Sequence, residues 1–172
     1  MISKTKIITG LTSLALSTCI FVGCDSDSVG GNNPIGNNES QEYYTQTNMS
    51  ALEYQMYIAK NVSSATGQIN TQISKIQNCA KNVCTPEDAT QSLNSAISQF
   101  KRTKTNFTYV YPPDKYNDVR TNAINYFQKA IDEMNEAVDE LSDGKITNEK
   151  ALEISTRLRD VHTSIQSLNF TA

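Results

Sequence analysis

Near the C-terminus one pattern dominates: Ile154, Leu158, Val161, Ile165 and Leu168 stand alternately four and three positions apart. That spacing places all five side chains on one narrow stripe of an α-helix, the seam of an antiparallel bundle or coiled coil. A helix with such a stripe gains most of its stability by burying it, so the chain must supply partner helices.

Three other segments supply them. Tyr54, Ile58, Val62, Ala65, Ile69, Ile73 and Ile76 recur every three or four residues, predicting a helix that starts between Tyr43 and Ala51 and ends near Cys79. Ser50 followed by Glu53 reads as a capping box, and Gly67 marks a place for a kink. A second helix is predicted from Thr85-Pro86-Glu87-Asp88, a Thr cap before Pro at the first helical position with acids in the first turn. It carries Ala89, Leu93, Ala96, Ile97 and Phe100 and is expected to fade near Arg102 to Thr105.

The stretch Tyr109-Val110-Tyr111-Pro112-Pro113 then reads as an extended linker, because both prolines lack a backbone donor and push their predecessors out of helical geometry. A third helix is expected from near Asp114, burying Tyr116, Val119, Ala123, Phe127, Ile131, Met134, Val138 and Leu141 and ending at Gly144 as a left-handed cap. Thr147 caps the fourth. Short connections between long amphipathic helices make neighbours antiparallel, so residues 43–172 are predicted to form an all-α, up-down-up-down four-helix bundle. Abundant helix formers, no Trp, seven Gly and four Pro suit this fold, and 172 residues suit one domain.

Ahead of the bundle, residues 25–42 (DSDSVGGNNPIGNNESQE) are rich in Gly, Asn and Ser and hold little apolar surface to offset the entropy of ordering, so they read as a flexible tether. Before that, Lys4 and Lys6 precede sixteen uncharged residues, Ile7 to Val22, the length of a signal-peptide core and short for a membrane span of about 20 residues. Phe21-Val22-Gly23-Cys24 resembles the lipobox of bacterial lipoproteins, with Gly23 as the small residue before the modified Cys. Cys19 is the competing position, but Ile20-Phe21-Val22 still follows it, whereas Cys24 stands at the polar edge of the apolar run. The resemblance implies removal of residues 1–23, acylation of Cys24, and a mature chain held by lipid at the extracytoplasmic face of a cell membrane. The segment 24–42 then links anchor to bundle.

Without the leader, 13 basic groups face 18 acidic ones, a net charge of −5. Acids and bases alternate along the predicted helices, which reads as a solvated surface, disfavours anionic partners in general and offers nothing to nucleic acid. Cys79 and Cys84 remain as the other thiols. Export favours a disulfide between them, provided the first helix stops near Cys79, since in a continuous helix residues five apart lie about 8 Å apart along the axis. Their CxxxxC spacing does not suit a redox pair, and further metal ligands are lacking.

His162, the only His, is one step off the fourth-helix seam and reads as a partly exposed surface residue, with no second His for a zinc pair. Asp132, Glu133, Glu136, Asp139 and Glu140 crowd the third helix and read as a solvated face, because the Glu-x-x-His element of a carboxylate-metal bundle is missing. Tyr109 and Tyr111 either cover one bundle end or present an aromatic contact to a protein or glycan partner. No catalytic set, metal site or cofactor is expected. The sequence therefore favours a non-enzymatic binding or interaction module on a lipid anchor, with a phage-exclusion or immunity lipoprotein, or an enzyme with an unrecognised site, as alternatives.

Overall fold

A computed structural model of the chain describes residues 46–171. Four long helices account for most of them: α1 (Ala51–Ala80), α2 (Pro86–Tyr109), α3 (Asn117–Leu141) and α4 (Asn148–Thr171). Cross-helix contacts set their directions. Asn70 and Gln77 of α1 meet His162 and Ser155 of α4, at 3.4 and 3.5 Å. Lys104 reaches Gln128 at 2.6 Å while Arg120 reaches back to the Phe107 carbonyl at 2.9 Å, and Gln68 of α1 bonds Gln99 of α2. In the α1–α4 and α2–α3 pairs one index rises as the other falls, and the short 81–85 turn reverses α1 into α2, so sequential helices run antiparallel in an all-α bundle. The most extensive packing is α2 on α3 and α1 on α4.

The ends form as the local chemistry dictates. Ser50 Oγ accepts from the Glu53 amide, and Glu53 accepts from the Ser50 amide at 2.8 Å. Thr85 and Asp88 do the same for α2, behind Pro86 at the first helical position. Thr147 Oγ1 accepts from the Lys150 amide at 3.1 Å, opening α4. α1 runs unbroken through Gly67, where a Cβ would meet nothing within 4 Å.

The interior follows the stripes. Every apolar residue expected on α1 is buried, as is the whole α4 seam, at 0–1 % exposure. On α3 the expectation misses in one place: Val138 is only half-buried, and Ala137 occupies the core instead, in phase with Ala130, Met134 and Leu141. An aromatic chain, Tyr54–Tyr116, Tyr57–Phe107, Phe107–Phe127 and Phe127–Phe100, with centroids 5.0–5.6 Å apart, fills the core from one end.

α2 does not fade near Arg102 to Thr105; it continues to Tyr109. The added turn buries Phe107 completely, and Arg120 from α3 donates to the Phe107 and Thr108 carbonyls, which helix termination would otherwise leave unpaired. The Pro-rich linker is correspondingly shorter than expected. Tyr109 closes the helix, and the extended stretch begins at Val110–Tyr111 (β2) and runs to Pro113 (φ −55°, ψ 148°). β2 pairs in parallel with Thr47–Asn48 (β1), joining the segment before α1 to the segment after α2. A 3-10 turn, Asp114–Tyr116, leads into α3. α3 stops at Leu141, before Gly144, which takes the left-handed conformation (φ 74°) inside the α3–α4 turn.

Two predictions follow from packing and capping. Leu158→Asp places a charge at a fully buried seam position and should unfold the bundle cooperatively, read as loss of the helical circular-dichroism signal in a single transition. Hydrogen bonds from Ser50 hold the Glu53 carboxyl below its ordinary range, and those from Thr85 do the same for Asp88. Each carboxyl therefore binds its proton less readily folded than unfolded. Its stabilisation is complete above the usual carboxylate range and lost as pH falls through the lower, folded-state value. The Glu53→Gln, Asp88→Asn double variant should be less stable at neutral pH and lose less stability on acidification than the parent, measured by urea unfolding across pH.

Candidate functional site

The turn after α1 is built by its backbone. Asn82 adopts a left-handed conformation (φ 59°), its amide donates to the Cys79 carbonyl at 2.9 Å, and the Val83 amide reaches the Asn78 carbonyl at 2.9 Å. These two bonds are the Schellman termination of a helix, with Asn82 where glycine is commonest. The reversal brings Cys79 and Cys84 to a Cα separation of 4.4 Å with their sulfurs at bonding distance. The condition set by the spacing, that the helix end near Cys79, is met by its stopping at Ala80.

Beside that turn lies a groove of about 580 Å³ between the first half of α2 and the α3–α4 turn. Thr90, Gln91, Asn94, Ser95 and Ser98 line one wall, Leu141, Ser142 and Gly144 the other, and Pro86 and Glu87 the end. Its side chains carry amides, hydroxyls and one carboxylate, set on a lining that is mostly apolar surface from their carbon stems, Pro86 and Leu141. It is equipped to accept and donate hydrogen bonds. These residues were not legible in the sequence: they form an ordinary polar helix face, and only the position of the α3–α4 turn makes that face concave.

The acidic face of α3 divides. Asp132, Glu136 and Asp139 are exposed, whereas Glu133 and Glu140 are half-buried against Arg157 of α4. The Arg157 guanidinium lies 3.1 Å from Glu133 and 3.4 Å from Glu153, and it also bonds Glu140. Partial burial works against its charge, but the hydrogen bond and charge of Glu140, with Glu133 and Glu153, hold its pKa above the ordinary value. The expected solvated face is thus in part an ion-pair cluster joining α3 to α4. Glu153, one turn from Arg157, was its one signal in the sequence. His162 is half-exposed near Asn70. Among the described residues no group of three or more His, Cys, Asp or Glu could hold a metal ion.

At the opposite end, Tyr109 and Tyr111 are 36 and 38 % exposed. They do not alternate along one extended strand, since Tyr109 is helical, but the buried Val110 between them turns both outward. Arg120 lies over the Tyr111 ring at 4.7 Å, and the Tyr111 hydroxyl accepts from Gln46 at 3.4 Å. Deeper in, burial pushes the Tyr57 phenol up to about 12 and raises that of Tyr54 as well; neither hydroxyl meets a protein partner. Cys24 lies outside the described residues.

Residues 57–170 match a family described as of unknown function, DUF6376. The chain belongs to that family. The matched segment runs from the second turn of α1 to the last turn of α4, so the Cys79–Cys84 turn, the groove beside α2, the Arg157 cluster and both exposed tyrosines fall inside the DUF6376 region, while Leu52 and Met56 lie just outside it. Comparison of the DUF6376 chain with curated proteins gives no match. Comparison with solved structures gives none either.

The turn geometry generates a prediction. Purified from an oxidising compartment, the protein should show no free thiol at Cys79 or Cys84 by non-reducing mass analysis. Reduction should lower its unfolding free energy by about 2 kcal/mol, the chain-entropy value for so small a loop. Ready alkylation of both thiols in the native protein would exclude the bond.

Proposed function

We propose that this DUF6376 protein is a lipid-anchored extracytoplasmic protein whose helical bundle serves as a non-enzymatic interaction module. The observation that carries the proposal is the junction at Cys24: Lys4 and Lys6, sixteen uncharged residues, then Phe21-Val22-Gly23-Cys24 followed at once by Asp25-Ser26-Asp27. An apolar run ended by a small residue and Cys has the order a lipoprotein leader requires, and the polar stretch 25–42 provides reach between lipid and bundle. No described helix is long and apolar enough to cross a membrane. The groove beside α2 sets hydroxyls, amides and the Glu87 carboxylate on a largely apolar lining, a composition that supports recognition of a partner.

Cys24→Ala should shift the protein from the detergent-extracted membrane fraction to an unprocessed or released pool, and Cys19→Ala should leave it anchored. Mass spectrometry of the mature N-terminal peptide checks both. A non-acylated N-terminus starting elsewhere would refute the anchor.

A further inference from the structure

We infer that the bundle end at which the chain enters, presenting Leu52, Met56 and Lys60, seats on an anionic lipid surface; the inference rests on the lipid anchor proposed above. Leu52 and Met56 are 67 and 66 % exposed, one helical turn apart on one face of α1, while Tyr54 and Ile58 on the other face are fully buried. A lone exposed apolar residue needs no explanation. Here, however, four of the six large exposed hydrophobics among the described residues, Leu52, Met56, Tyr109 and Tyr111, belong to this one end. Lys60 is exposed one turn beyond Met56, so the face reads apolar, apolar, basic as it leaves the end. That order suits a membrane interface, where apolar side chains enter the acyl boundary, tyrosines sit at head-group level, and a lysine stem reaches back to phosphate.

Charge complementarity selects the lipid. The half of the bundle at this end (residues 46–65, 98–129 and 160–171) holds seven Lys and Arg against four Asp and Glu, a net +3. The other half (66–97 and 130–159) holds six against ten, a net −4. The alternation of charge along each helix conceals this polarity, and the folding of the helices brings it out. The expectation that anionic partners are disfavoured therefore does not hold for this end, which an anionic bilayer attracts while repelling the far end. Exposed Lys101 and Arg102, and half-buried Lys104, lie within about 8–12 Å of the end of α2, near the Debye length.

Connectivity supplies the occupant. The chain reaches the bundle through residues 46–50, whose Met49 amide bonds the Tyr111 carbonyl at 3.0 Å, so it enters at the basic, apolar end. The 22 residues between Cys24 and Thr47 can span at most about 80 Å. A bilayer holding Cys24 is thus always within reach of Leu52, at a high effective concentration that a freely diffusing partner lacks. The lipid anchor proposed above already secures retention. Seating adds orientation, pointing the groove beside α2 and the Cys79–Cys84 turn away from the membrane.

The chain contains no Trp, so Leu52→Trp and, separately, Leu152→Trp at the far end each introduce a single reporter. Leu152 is 60 % exposed, which makes it a matched control. Each mature acylated variant, its helical circular dichroism unchanged, is reconstituted in phosphatidylglycerol–phosphatidylcholine vesicles. Leu52→Trp emission should shift to the blue and be quenched at least twofold by brominated phospholipid, and Leu152→Trp should do neither. Adding Lys60→Glu and Arg102→Glu, or omitting phosphatidylglycerol, should abolish most of that quenching. Leu52→Trp remaining unquenched in an acylated, vesicle-bound protein overturns the seat and leaves the anchor standing. A blue shift without lipid quenching likewise overturns it, in favour of a protein contact. A mature chain isolated from cells without acylation that still floats with anionic vesicles and shows Leu52→Trp quenching overturns the anchor and supports the seat.

Discussion

Each of the four helices is apolar along one stripe and polar around the rest, and the stripes leave water only by facing one another. That mutual burial is the constraint on which everything else depends. Tyr54, Ile58, Ile69 and Ile76 of α1 and Ile154, Leu158, Val161 and Ile165 of α4 are all fully buried, and a helix missing from the set would strand the stripes of its neighbours. The caps decide where helices begin, and the turns decide that neighbours are antiparallel. Small residues at Ala123, Ala130 and Ala137 present little bulk on the α3 stripe, leaving room for the rings of Phe100, Phe107 and Phe127 in the same core.

The packing is uneven, and the exceptions fall in a consistent place. Of the sequential helix pairs, α1 and α2 meet least closely, with a polar cleft of about 190 Å³ between them lined by Gln68, Gln72, Ser92, Ser95, Ala96 and Gln99. The side-chain carbonyls of Gln68 and Gln72 are buried there without protein partners, a cost that a fully apolar seam would not carry. Cys79 and Cys84 close the turn of this same hairpin, so the covalent constraint falls where hydrophobic packing contributes least. On the other side of the bundle, Arg157 gathers Glu133, Glu140 and Glu153 between α3 and α4. A half-buried charge with three opposing partners favours one register of those helices over its neighbours, because a slip by one turn would leave Arg157 or a carboxylate unpaired.

The proposed interaction role and membrane seat both draw on the difference between the two ends. One receives the chain through the β1–β2 pairing and carries exposed apolar and aromatic side chains within a basic half; the other holds the groove beside α2, the two tight turns and the acidic half. A bundle held as proposed by its first end presents its second, and so has a defined outward face.

Much of the fold was legible in the sequence because burial at helical spacing leaves a periodic trace: the α4 seam, the α1 stripe, the Ser50 and Thr85 caps and the Thr147 cap are local, and each was realised where the residues placed it. Asn82 could have been read as the left-handed terminator that lets Cys79 meet Cys84, since Asn tolerates that conformation. What the sequence could not fix depended on residues distant along the chain. α2 gained its last turn because Arg120, thirteen positions after Phe107, arrives to bond its carbonyl. The parallel pairing of Thr47–Asn48 with Val110–Tyr111 closes a separation of more than sixty residues that no local propensity encodes. The groove is concave only because the α3–α4 turn stands beside α2. The charge polarity exists only once antiparallel packing has collected the halves of four helices at common ends. Local propensity and periodicity determined the helices and their inward faces; the surfaces they present together were decided by tertiary packing, because concavity and net field are properties of several segments at once.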